Sequence, residues 1–308
     1  MTRKLRWIAV AAAATLLSPL ASAWWVEGHM RMVHDAASAL PDDTPAFFRE
    51  GEARIAFYSM EPDLWTNADL PALRSSERFN HFFDIELLGG RPVPPSRLEF
   101  LLLCRESRLE PSVVGTLPYA VQEWYERLVL AFGEHRKFPP DEAIQNKVLY
   151  IAGVLSHYAG DVAQPLHCTV HYDGRASPDG TSPGTGIHLK LDALPGRPEV
   201  AAAGAVRRLQ VEPIQDALAA TVAAVRESNR RVERVYQFED RLPPVREFPL
   251  EVPLDPQVRD LAVECMEAGA VLTASLWHSA WLRSAQLTPP QWLRSLPTRR
   301  TASLTAEQ

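Results

Sequence analysis

The run DEAIQNKVLYIAGVLSHYAGDVAQPLH, residues 141–167, decides how this chain is read. Residues 141–164 are long and apolar enough for a helix buried at the centre of a protein. Pro165 should end that helix, because proline has no N–H to donate and clashes with the preceding turn. His157 and Asp161 stand four residues apart inside the run, so their side chains share one helical face. A His-x3-Asp pair is common on ordinary helix surfaces. Here it lies in an apolar stretch, where polar groups without partners are costly. Imidazole and carboxylate together suit zinc, and His167 follows just where the chain must leave the helix.

Outward from this run the chain reads as mostly helical. Helices are predicted over residues 24–40, ended by Pro41, and over 118–132. Two more are expected over 213–234, with Pro213 in the first turn, and over 258–283. Between them, 89–97 is proline-rich, and 173–186 is rich in Gly, Ser and Pro. The second of these loops is the candidate for a mobile cover. Residues 286–308 are polar and contain prolines, and read as a disordered tail. No repeat and no domain boundary is visible, so residues 24–285 are expected to form one all-α domain.

Composition narrows the class. The chain has 308 residues and a formal net charge of −6, which argues against a generally basic nucleic-acid-binding surface, though not against a local groove. Arg3, Lys4 and Arg6 precede an apolar stretch over 7–17 and then Ala21-Ser22-Ala23. That order reads as a secretory signal cleaved after Ala23, and its apolar part is short for a bilayer span. The expected mature protein begins at Trp24, is soluble and monomeric, and resides in a periplasm or outside the cell. Cys104, Cys168 and Cys265 make neither a disulfide scaffold nor a thiolate metal site. One bridge is compatible with an oxidising compartment, Cys104 with Cys265 being the candidate pair, and Cys168 reads as buried filler.

Three further signals accompany the central pair. His188 and Asp192 repeat the four-residue spacing in GIHLKLD, residues 186–192. Asp63 precedes His81 in a stretch that ends HFFD, and His29 follows Trp24 within WWVEGH. Each is weak alone, and the ordinary reading of His81 is a packing position among aromatics.

In combination and order, these residues resemble the superfamily of zinc-dependent bacterial phospholipases C and single-strand-specific zinc nucleases. HYAGDVAQPLH at 157–167 matches that family's hallmark H-[YF]-x-G-D-x-x-Q-P-[LM]-H, and the resemblance runs from Trp24 to Asp192. It implies a mostly α-helical domain with three zinc ions in a cleft. One zinc would take Asp63, His81, His157 and Asp161, and a second His167, His188 and Asp192. The third would take the amino nitrogen and carbonyl oxygen of Trp24 together with His29 and a shared Asp161. Asp69 is an alternative to Asp63, which is preferred for its PD-plus-aromatic setting. The implied activity is secreted, phospholipase C-like phosphodiester hydrolysis, in which a zinc-bound hydroxide attacks phosphorus. Asp161 would bridge two ions, and Asp63 would orient the water or act as base.

The substrate is open between a phospholipid headgroup and a single-stranded nucleic acid. Glu27 matches the offset of an acidic residue that holds a choline cation in a phospholipase C. Trp65 stands one position beyond the aromatic expected after the metal-binding Asp. Phe82 could stack on a base or line a headgroup pocket, and for Phe82 and Phe83 core packing contends equally. The phospholipase branch is preferred, the nuclease is the alternative, and a non-catalytic zinc-binding protein stands behind both. His34, His135, His171 and His278 have no counterpart in the family pattern and read as structural or surface residues.

Overall fold

The computed structural model describes residues 26–178, 180–204, 209–245 and 253–288. Trp24 and the signal segment, and the tail from 289 onward, lie outside the described residues. The order begins with α1 (Val26–Ser38), α2 (Ala46–Glu50), α3 (Glu52–Tyr58), α4 (Glu61–Leu64) and α5 (Pro71–Glu77). It continues through α6 (Arg97–Ser107), α7 (Pro111–Val114), α8 (Leu117–Lys137) and α9 (Glu142–Ala163). It closes with α10 (Ile187–Asp192), α11 (Pro198–Gly204), α12 (Ala217–Gln237) and α13 (Pro256–Ser284). Among the described residues there is no β-strand, only two isolated bridges. None of the described helices is long and apolar enough to cross a membrane.

Helix α9 is the axis of the domain. Asp141 starts it, accepting from the amides of Ala143 and Ile144, which satisfies two of the free N–H groups of the first turn. From Ile151 to Ala163 every residue is buried, and Gln164 and Pro165 end the helix. Buried on all sides over that stretch, it packs against α1, α3, α8, α12 and α13. Trp277 of α13 is fully buried, meets Phe48 edge-on, and donates its indole N–H to the Ala152 carbonyl at 3.2 Å. Asp216 and Asp255 cap α12 and α13 in the same manner as Asp141 caps α9.

The five helices expected from sequence are present with ends shifted by a few residues. The largest shifts are at the start of α12, which begins at Ala217 rather than 213, and at the end of α8, which runs on to Lys137. The shorter helices α2 to α7 were not anticipated. The three cysteines are free and buried, so the candidate Cys104–Cys265 bridge is not formed. Phe83 belongs to the core, packed on Phe100.

Candidate metal centre

Helix α9 supplies His157 and Asp161, both fully buried. Around them the fold brings His29 from α1 and Asp63 from α4. His81 follows the short turn Arg78–Asn80, and His167 ends the turn Pro165–His167. His188 and Asp192 come from α10. Three groups of side chains place ligand atoms within 4.8 Å of one another. They are His29, His157 and Asp161; Asp63, His81 and His157; and His167, His188 and Asp192. Asp161 lies between them. Its Oδ2 is 3.1 Å from His81 Nδ1, 3.4 Å from His157 Nε2 and 3.9 Å from His167 Nδ1. Its Oδ1 is 3.6 Å from His29 Nε2. Asp69 is exposed and belongs to none of the groups.

Backbone carbonyls aim the imidazoles. His157 Nδ1 donates to the Ser59 carbonyl at 2.8 Å, His167 Nδ1 to that of His81 at 2.5 Å, and His188 Nδ1 to that of Tyr172 at 3.1 Å. A carbonyl can only accept, so in each neutral ring Nδ1 carries the hydrogen and Nε2 offers a lone pair. The His167 and His188 Nε2 atoms face each other at 3.0 Å, with Asp192 Oδ2 3.2 Å from His188 Nε2. Two lone pairs at that separation require a proton or a cation between them. His29 Nδ1 and Nε2, His81 Nε2, Asp161 Oδ1 and Asp192 Oδ2 are buried without a hydrogen-bond partner. A folded chain rarely leaves such groups orphaned together.

Burial acts on this cluster in opposite directions for acids and bases. It lowers His29 to about 3, with the His81 charge adding to the effect, and holds His157 and His167 well below the usual histidine range. It raises Asp161 well above the carboxylate range, and Asp63 up to about 7. His188 departs from this pattern. Burial would lower it, but the Asp192 carboxylate and the Tyr172 carbonyl outweigh burial and raise it. A proton on His188 Nε2 would stand where the facing lone pairs need one. A divalent cation would replace that proton and stabilise the ionised carboxylates, so the residues fit a metal ion.

The support around these residues is also built in. Phe83 N donates to the His167 carbonyl at 2.8 Å, reciprocating the bond from His167 to the His81 carbonyl, so the two segments hold each other. Gly115, at φ 84°, lets the chain after α7 cross Phe82 closely, since a Cβ there would stand 2.0 Å from the Phe82 carbonyl oxygen. Gln164 is fully buried. Its Oε1 accepts from Leu166 N at 2.5 Å, so its amide N–H donates to Asp192 Oδ1 at 2.7 Å and leaves Oδ2 toward the cluster. Sequence reasoning placed Gln164 in a motif but gave it no role.

Of the residues expected near a substrate, Glu27 is exposed on α1 and Phe82 is half-buried beside His81. Trp65 stacks on Trp124 at 6.0 Å and 25°, so its ring is engaged in packing. The other histidines have local partners. His34 bonds Glu52, His278 bonds Asp43, His135 lies against Phe47, and His171 Nδ1 accepts from Ala176 N. The loop 173–186 is pinned by Arg175, which pairs with Glu233 and covers the Tyr236 ring. Comparison with family models and with the curated proteins finds no match to this chain.

Proposed function

We propose that the protein is a secreted zinc-dependent phosphodiester hydrolase of the phospholipase C-like type. The observation that carries this reading is the facing pair of His167 and His188 lone pairs beside a buried, shared Asp161. Four ligands held 2.0–2.2 Å from a tetrahedral zinc stand roughly 3.3 Å apart. The 3.0 to 3.8 Å separations of His167–His188, His188–Asp192, His157–Asp161, His29–Asp161 and Asp63–His157 bracket that value. His29, Asp63, His81, His157, Asp161, His167, His188 and Asp192 would hold the metal, and cleavage after Ala23 would add the Trp24 amine. An α-amino group, with a pKa of about 8, gives up its proton to a metal more readily than a lysine does.

Bound zinc supplies positive charge that offsets the anionic oxygens of a phosphodiester and lowers the pKa of water toward neutrality. Asp63, the half-buried member of the cluster, would orient an incoming water and take its proton. Asp161, buried and shared, holds the histidine groups in register.

The test is hydrolysis by purified mature protein of phosphatidylcholine, single-stranded DNA and a generic soluble phosphodiester, each with and without chelator. Chelator-sensitive lipid turnover is expected. DNA turnover without lipid turnover would move the protein to the nuclease alternative. No chelator-sensitive hydrolysis by zinc-loaded protein would leave a zinc-binding protein without catalysis.

A further inference from the structure

Asp63 is the most exposed member of the three clusters, its side chain 18 % exposed against 9 % or less for the others, so the centre is nearest solvent on its side. The chain leaving Asp63 carries its apolar residues outward. Leu64 is 63 % exposed, Leu70 53 % and Leu73 36 %. Every residue from 67 to 73 is exposed, and α5 buries none of its residues. Between Leu64 and Leu73 the one charged residue is Asp69.

These leucines stand on a braced base. Trp65 stacks on Trp124 of α8, and Arg74 returns to donate to the Thr66 carbonyl. The Thr66 hydroxyl donates to the Asp63 carbonyl at 2.8 Å, and Asn67 Oδ1 accepts from Asp69 N at 2.8 Å. The segment is therefore closed on itself and anchored, with its apolar tip projecting beside the half-buried ligand. Apolar side chains exposed close together beside a site are what an interaction surface is built from.

Charge and position select the occupant. Nucleic acid is bound chiefly by cations facing phosphates, and this tip offers none. A second copy seated there would cover the side on which the centre is nearest solvent. A lipid surface fits both facts, because leucines partition into the headgroup–acyl boundary. We infer that residues 64–73 form an interfacial docking element that seats the mouth of the metal centre on a phospholipid surface. This rests on the hydrolase reading above and deepens it, since the substrate is then phospholipid in aggregated form.

The experiment compares zinc-loaded wild type with the double variant Leu70→Ser/Leu73→Ser. It measures co-flotation with phosphatidylcholine vesicles, hydrolysis of vesicle lipid, and hydrolysis of soluble bis(p-nitrophenyl) phosphate. Both residues are exposed, and zinc content and circular dichroism verify that the variant is folded. Vesicle partitioning and vesicle hydrolysis should fall together by about tenfold or more, with soluble-substrate hydrolysis unchanged. Equal partitioning of variant and wild type, or a wild type that does not float, would overturn the docking element while leaving the hydrolase reading intact. Leucine-dependent flotation without hydrolysis of any substrate would sink the hydrolase reading and keep the lipid surface. A wild-type dimer that the variant abolishes would show that a second copy is the occupant.

Discussion

Asp63 holds a carboxyl that burial pushes from 3.8 up to about 7, so between those values the folded metal-free protein binds a proton that the unfolded chain has already lost. Stability from this group therefore falls as pH rises through that window, and the full cost stands above pH 7. His29 has the opposite slope. Lowered to about 3, it binds fewer protons folded than unfolded, so its contribution is lost as pH drops from 6.5 toward 3. Asp63→Asn should therefore stabilise the metal-free protein at pH 8 by on the order of 2 kcal/mol and leave it unchanged at pH 3. With zinc present the order should reverse, because a ligand is gone. Urea unfolding at both pH values, with and without chelator, separates the cases, and a variant less stable in all four would mark Asp63 as merely structural. Gln164 makes a different prediction. Gln164→Leu strands the Leu166 amide and frees Asp192 to turn, so zinc affinity measured by competition should drop about 10- to 100-fold. At this scale the central pair was legible, since His157 and Asp161 are polar residues in an apolar helix. The carbonyls of Ser59 and Tyr172 that aim His157 and His188 were not, because only the folded chain brings them there.

Among the elements, the long helices could be read because their apolar periodicity runs for several turns and their ends carry Pro or a capping Asp. Helices α4 and α5 span four and seven residues, too short for any period to register, and α5 has no buried face to reveal. The crossing of α3 on α9 was equally hidden. It depends on Gly153, where a Cβ would lie 2.5 Å from Tyr58 Cβ and 2.7 Å from the Ile55 carbonyl oxygen. Backbone cannot yield there as a side-chain tip can. Gly153→Ala should cost about 1–3 kcal/mol through forced separation of the two helices, despite the better helix propensity of alanine. Gly133 on α8 is the matched control, since its added Cβ would approach only the end of the Leu287 side chain at 3.0 Å and a carbonyl oxygen at 4.0 Å. Gly133→Ala should be neutral or stabilising by up to about 1 kcal/mol. Chemical denaturation of both variants reads the contrast, and equal costs would refute the close-approach account.

Across the whole molecule, the candidate ligands stitch together segments that the hydrophobic core holds unequally. Helices α8, α9 and α13 bury most of their length against one another. The segments bearing Asp63 and His81 are short helices and turns with few buried apolar residues of their own, while those bearing His167 and His188 add only Leu166, Ile187 and Leu191 to the core. Metal bound only by the folded form adds stability by mass action, about 4 kcal/mol at a thousandfold excess over Kd for one site. Stripping the metal should therefore lower the thermal midpoint by about 10 °C or more while leaving far-ultraviolet circular dichroism near its holo value. The loss should also be uneven. Amide exchange ought to accelerate over residues 61–85 and 165–192, which carry candidate ligands, and to change little in α8 and α13, which carry none. Uniform acceleration across all helices would mean that the ions are part of a single cooperative core. No acceleration in the two ligand-bearing segments would mean that protein contacts alone hold the cluster in place.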